Sequence, residues 1–448
     1  MRAAHSAMSS GVCAARNSRF TNADRSSAEI RCVEFSAMLL PSGVRRARGV
    51  CVRETTLQQP HGARHLTPPW HVCGTGGGLV RSMPRSHTSV PPRKGALMSR
   101  TGRAVVAHGQ DFDIREYPVP DPDPNTVLVR QELAGICGTD LHMWQNGIPG
   151  EMLLGHENVG IIDKLGKDVT VDHVGNAVKE GDRIIFAPGT PNGAYGFQSD
   201  PDTAPHFGGG FADYIHLYRP DTLFIKTDLA PEIAVMIEPF TVGVHASMRG
   251  GIQIGDTVVV QGSGAIGLVT LMCAKISGAA KIIVVGGPAG RLELAERMGA
   301  DVTVDIEDIT SADERTEIVR SHTPRAAGAD VVFECAGFLP AIPEGLGYTK
   351  YGGTFTEVGQ FVDMGSFDFN PNRMLMRRNV TVEAVWGSTY EHFVRGMPIL
   401  ERNEFPFADM VSHVLPLSRL AEGFDALNGD YRLTGETVVK IAVGAGAE

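Results

Sequence analysis

The sequence predicts an α/β protein with two kinds of architecture: a β-barrel or sandwich, and a doubly wound parallel sheet covered by helices on both faces. Three observations carry this. Residues 102–187 hold short β segments broken by Pro, Gly and Asp, the pattern of a small barrel or sandwich. From residue 256, continuous apolar strands alternate with helical stretches, which points to a buried parallel sheet. A glycine-rich turn joins the first of those strands to its helix, as in dinucleotide-binding folds.

The chain has 448 residues, enough for two or three domains with sizeable cores. Residues 1–97 are rich in Arg, Ser, Pro and His and show no sustained helical or strand period. They read as a translated upstream region ahead of a start at Met98, with a disordered tail and an Arg-rich transit peptide as the other two readings. Strands are expected at 102–107, 126–134, 158–165 and 182–187, followed by a long Gly-, Pro- and Asp-rich loop at 188–210. The run 257–261 (TVVVQ) is a buried strand, with a helix to about residue 277, a second strand at 281–285 and a helix at 291–298. Further strands are expected near 302–305, 330–335, 353–358 and 380–386. A helix at 417–428 and a strand at 437–443 close the chain, the strand returning to the first domain.

Charge is divided unevenly. Residues 1–97 hold 14 Lys and Arg against 4 Asp and Glu, a net of +10, whereas the whole chain holds 41 against 51. Residues 98–448 therefore hold 27 against 47, a net of −20. An acidic body argues against a nucleic-acid partner. No run of about 18 or more apolar residues appears, so no membrane-crossing helix is expected. Three scattered cysteines in the body, Cys137, Cys273 and Cys335, do not suggest a disulfide framework and fit the cytoplasm.

The glycine pattern is Gly262-Ser263-Gly264-Ala265-Ile266-Gly267, placed between a strand and a helix. The first glycine permits the tight turn, the second admits a pyrophosphate, and the third packs helix on strand. The helix N-terminus offers Ala265 and Ile266 N–H groups to the phosphates. The second strand ends in Val285-Gly286-Gly287-Pro288, without the carboxylate that would hold an adenine ribose. Arg291 stands just beyond and suits a 2′-phosphate. The cofactor is thus NAD or NADP, with a lean to NADP.

Cys137, His156, Glu157 and Glu238 offer the thiolate, imidazole and carboxylate that zinc takes in a tetrahedral site with an open position. The segments AGICGTDLH at 134–142, GHENVG at 155–160, KEGDRI at 179–184 and GGFADY at 209–214 carry a resemblance. So do IEP at 237–239, QGSGAIG at 261–267 and SHVLPLSRLAEGFDAL at 412–427. With these motifs residues 98–448 resemble the medium-chain zinc-containing alcohol dehydrogenases, nearest the sorbitol and threonine dehydrogenase branch.

The resemblance implies a GroES-like β-barrel catalytic domain beside a Rossmann-type sheet. It implies Cys137 and His156 as zinc ligands, with Glu238 in the third place, directly or through water, and Glu157 as a neighbouring carboxylate that tunes or exchanges at the metal. Asp140 would orient the histidine, Thr139 would take the substrate proton, and His142 would pass it to solvent. The 188–210 lobe has no cysteine, where many members bind a structural zinc, so one zinc per chain is expected. The expected activity is hydride transfer between NAD(P) and a small-molecule alcohol or carbonyl, a polyol or secondary alcohol. The alternatives are a zinc-independent enone or quinone reductase and a non-catalytic dinucleotide-binding protein. The catalytic domain is expected at 98–238 and 388–448, the dinucleotide domain at 239–387, and the assembly as a homodimer or homotetramer.

Overall fold

The structure is a computed structural model and describes residues 100–444; the expectation for residues 1–97 lies outside the described residues. The described chain opens with β1 (Thr101–Gly109), β2 (Asp111–Pro118) and β3 (Val127–Gly135), then helix α1 (Gly138–Gln145), β4 (Ile148–Leu154), β5 (Glu157–Leu165) and β6 (Arg183–Phe186). Short strands β7 (Gly189–Thr190), β8 (Gly193–Ala194) and β9 (Phe197–Ser199) follow, then β10 (Tyr214–Leu217), β11 (Phe224–Lys226) and helices α2 (Pro231–Ala234) and α3 (Ile237–Gly250).

The second architecture runs β12 (Thr257–Gln261), α4 (Ala265–Ile276), β13 (Lys281–Gly286), α5 (Ala289–Arg297), β14 (Val302–Asp305), α6 (Ala312–Ser321) and β15 (Ala329–Glu334). It continues through α7 (Ala341–Tyr348), β16 (Thr349–Glu357), α8 (Pro371–Met374), β17 (Thr381–Ala384) and α9 (Tyr390–Arg402). The chain closes with β18 (Val411–Pro416), α10 (Leu420–Asn428), the hairpin β19 (Arg432–Leu433) and β20 (Glu436–Thr437), and β21 (Lys440–Gly444).

Six parallel strands form one sheet in the order β14-β13-β12-β15-β16-β17. Val258, Val259 and Val260 are fully buried. Alternate residues of β12 and its neighbours fall into two separate cores, one on each face, which is why the strands read as unbroken apolar runs. The other strands form a four-stranded sheet, β2-β1-β4-β9, and a seven-stranded sheet along β11-β6-β5-β3-β21-β18 with β10 also on β3.

Two expectations change in detail. The 188–210 segment is not bare loop: β7 and β8 pair with each other, and β9 pairs with β4. Its glycines hid these two- and three-residue strands, too short to show a period. The closing strand does rejoin the first architecture, Ala442 pairing with Gly135. It begins only at Lys440, because residues 432–437 fold into their own hairpin.

Candidate metal centre and dinucleotide turn

The metal candidates are gathered by sheet register. The antiparallel pairing of β3 with β5 sets Gly135 opposite Glu157 and Ala134 opposite Asn158. Cys137, two residues beyond the end of β3, therefore meets His156 and Glu157 at the start of β5. One ligand atom from each of these three residues lies within 4.8 Å of the other two. Cys137 is the N-cap of α1, and the Asp140 carboxylate closes that turn by accepting the Cys137 N–H at 3.0 Å. The same carboxylate, fully buried, faces His156 Nδ1 at 3.4 Å, leaving the other imidazole nitrogen for a ligand. Phe197 from β9 stacks on the His156 ring at 5.0 Å.

Lys440, at the start of β21, is a buried member that the sequence reading missed. Its ammonium donates to the Ile136 carbonyl at 3.0 Å and pairs with Glu157. Burial works against its charge, but Glu157 and Cys137 hold its pKa above the ordinary lysine range. Glu238, in the first turn of α3, lies outside the 4.8 Å trio but in its field. Burial pushes its pKa up to about 7, His156 opposing and Glu157 adding. Burial would depress His156, yet Asp140 and Cys137 outweigh it and raise the imidazole well above its usual range.

Three carboxyl groups and a thiol, two of them half-buried, thus stand in one another's field with a buried lysine and a buried histidine. The thiol, the imidazole and the Glu157 carboxylate converge closely enough for one cation to reach all three. A sulfur, a nitrogen and carboxylate oxygens suit zinc, so the residues present fit that metal.

Thr139 and His142 lie on α1 beside this cluster. Cys137 Sγ is 3.7 Å from Thr139 Oγ1. His142 is half-buried, and its ring meets Phe361 edge-on with centroids 5.4 Å apart. Burial lowers its pKa, with Gln145 opposing. Trp144 belongs to the core, its indole N–H donating to the Gln110 carbonyl at 2.8 Å, and Trp386 is largely exposed. In the lobe, His206 stacks on Tyr117 at 5.0 Å.

The glycine pattern stands where β12 passes into α4. Gly262 has φ +103°, and a Cβ there would sit 2.8 Å from the Ala336 nitrogen. A Cβ on Gly267 would sit 1.9 Å from the Gly262 carbonyl oxygen. Gly264 caps α4, whose first residues are Ala265 and Ile266. Arg291 is buried in the first turn of α5. The neighbouring strand ends carry a row of polar side chains, Gln261, Glu334 and Glu357, in parallel register.

A parallel sheet with such a turn, joined to an antiparallel part holding a cation-seeking cluster, defines a metal-assisted dinucleotide oxidoreductase. Comparison with known proteins agrees. Residues 123–227 match the alcohol dehydrogenase GroES-like domain, and residues 265–402 match the zinc-binding dehydrogenase domain. Sorbitol dehydrogenase of Gallus gallus is 31% identical over 358 residues, covering 73% of this chain and 94% of its own. A Thermotoga maritima alcohol dehydrogenase structure superposes with a TM-score of 0.70 at 27% identity, over 77% of this chain and 99% of its own. A zinc-binding dehydrogenase of Sinorhizobium meliloti 1021, solved with NADP, gives a TM-score of 0.65 at 26% identity over the same shares. The chain belongs to the medium-chain zinc-binding alcohol dehydrogenase family. It is an NAD(P)-dependent oxidoreductase acting on CH–OH donors.

Proposed function

We propose that this enzyme oxidises a polyol or secondary alcohol, and reduces the matching carbonyl, with one zinc held by Cys137, His156 and Glu157 and with Glu238 beside them. The observation that carries the reading is the convergence of a thiol, an imidazole and a carboxylate, each offering a ligand atom within 4.8 Å of the other two. Similarity to proteins named sorbitol dehydrogenase supports the polyol class. Zinc, when bound, supplies a Lewis acid that makes the substrate hydroxyl more acidic.

The protein's own groups do the rest. Asp140 orients His156. Lys440 balances Glu157. Thr139 Oγ1 takes the substrate proton as it gives up its own, which would pass by the nicotinamide ribose hydroxyl to His142, half-buried in the last turn of α1, and from there to solvent. The α4 N-terminus, opening at Gly264, Ala265 and Ile266, would hold the pyrophosphate, and the dinucleotide would supply the hydride acceptor.

With the catalytic part at 98–238 and 388–448 and the dinucleotide part at 239–387, the reaction would run in the cleft between them. Family membership supports a dimer or tetramer. The free thiols Cys137, Cys273 and Cys335 support a reducing compartment such as the cytoplasm.

The test is kinetic. Thr139→Val is expected to lower kcat by about 10²–10⁴-fold on the best polyol or secondary alcohol while zinc content is kept. His142→Ala is expected to slow turnover by about tenfold, also without zinc loss. A Thr139→Val enzyme with unchanged kcat would sink the relay.

A further inference from the structure

The carboxyl ends of β12, β15 and β16 carry side chains that a buried parallel sheet does not need for its packing. Gln261, Glu334 and Glu357 stand in one parallel register and so point to the same face. Glu334 is fully buried. Its Oε1 accepts the Ala336 and Gly337 N–H groups, and Glu357 Oε1 accepts those of Gly359 and Gln360. The second oxygens, Glu334 Oε2 and Glu357 Oε2, are buried and meet no hydrogen-bond donor.

Two carboxylates in this place repel, and burial penalises both charges. One proton removes the conflict. It makes one acid an O–H donor to its neighbour, a short charge-assisted bond, and both orphaned oxygens are then served. What acts on Glu334 is burial, then Glu357, with the Gly337 and Ala336 N–H groups opposing, and its pKa is pushed up to about 8. No lysine, arginine or histidine is among these groups. The other titratable groups on the surrounding elements are engaged elsewhere. Cys335 Sγ donates to Thr270 Oγ1 at 3.7 Å, and Glu344 of α7 binds Arg315. Glu383 of β17 pairs with Arg249, and Asp330 and Lys350 pair at the far ends of β15 and β16.

The two turns that these acids cap touch each other. Gly337 has φ +76°, and a Cβ there would sit 2.8 Å from the Gly359 carbonyl oxygen. A Cβ on Gly359 would collide with Glu334 Oε2 and the Gly337 nitrogen. The first turn also backs the dinucleotide turn, through Ala336 against Gly262. The second runs on to Phe361, whose N–H donates to the Gly359 carbonyl at 3.0 Å and whose ring abuts Gly138 and His142 of α1. Ligands of open parallel sheets lie outside these strand ends. The spacing of the two turns therefore bears on the dinucleotide and on α1 together.

We propose that Glu334 and Glu357 share one proton and form a clasp that sets the turns 335–337 and 358–361 for the dinucleotide, with Glu357 the positioning residue. The inference rests on the dinucleotide reading above. The clasp is closed while the proton is present. As pH rises through about 8 the proton leaves, the carboxylates repel and the turns part, which carries Phe361 off His142.

The test reads the proton and the turns separately, on the purified full chain. Infrared titration of the natural enzyme is expected to show a protonated-carboxyl band that disappears with a midpoint near 8 and is absent from Glu357→Gln. Binding of NADH or NADPH, whichever is tighter, is followed by its fluorescence. In the natural enzyme it is expected to weaken about tenfold between about pH 7 and about pH 9.5. Glu357→Gln, whose amide donates to Glu334 at any pH, is expected to lose that step. Glu357→Ala, which can make no clasp, is expected to bind about tenfold more weakly across the whole range. Equal steps in the natural enzyme and Glu357→Gln would overturn the proposal, as would a natural enzyme with no carboxyl band titrating near 8. The infrared measurement of the natural enzyme needs neither a variant nor a dinucleotide, so it decides the shared proton even if a variant folds poorly. A chain that kept the band but bound neither dinucleotide would overturn the dinucleotide reading, and the positioning role with it.

Discussion

Lys440 shows what a single side chain settles at the site. A lysine inside a closing apolar strand reads as an edge residue until β21 is seen to pair with β3. That pairing carries the ammonium from 283 positions away in sequence onto Glu157. Cys137 and His156 were legible, because their local segments are distinctive. Lys440 was not, because its partner is distant in sequence and nothing local marks it. Removing one partner of a buried ion pair leaves an uncompensated charge and costs about 3–5 kcal/mol. Lys440→Met is expected to lower stability by that amount, and Lys440→Met with Glu157→Gln to recover much of it, as measured by denaturant unfolding. Equal losses in the single and double variants would show that the pair carries no coupling.

Among the elements, the parallel sheet was the most legible part. Its strands are apolar runs bounded by glycines, and the expected strand at 302–305 is β14 itself. The β19–β20 hairpin was not, since 432–437 is short, polar and without alternation. The ends of β15 and β16 bear a feature that no sequence period reveals, two carboxyls side by side in register. Glu334 caps the next turn by accepting the Ala336 and Gly337 N–H groups at 2.7 and 2.9 Å. Glu357 does the same for Gly359 and Gln360 at 3.1 and 3.0 Å. Burial, then the neighbouring Glu357, pushes the Glu334 pKa up to about 8.

An acid with a raised folded-state pKa favours folding most below its unfolded value, near 4.5, and that contribution is lost as pH rises through about 8. Glu357→Gln removes the like charge. It is expected to raise stability at pH 8 by about 1 kcal/mol, or ~2–4 °C of melting temperature, with a smaller gain at pH 5. Parallel pH profiles for the two proteins would show that the carboxyls do not interact. The turn before α4 is equally exacting. Gly267→Ala would force a methyl against the Gly262 carbonyl and is expected to weaken dinucleotide binding at least about tenfold, read by titration.

Across the whole molecule, the proposed function divides the reaction between two architectures. The antiparallel part supplies the metal cluster and the α1 hydroxyl and imidazole. The parallel part supplies the dinucleotide turn and, through Phe361, a contact with His142. Both architectures and their order were legible, because each has its own period. Their joining was less so, because Lys440 and Phe361 meet groups far away in sequence. The central claim is that Cys137, His156 and Glu157 hold a catalytic zinc. Elemental analysis of the purified full chain tests it most directly. About one zinc per chain is expected in the natural protein, with most of it lost, together with turnover, in Cys137→Ser and His156→Ala. Zinc-free natural protein that still oxidised alcohols with a bound dinucleotide would contradict the claim.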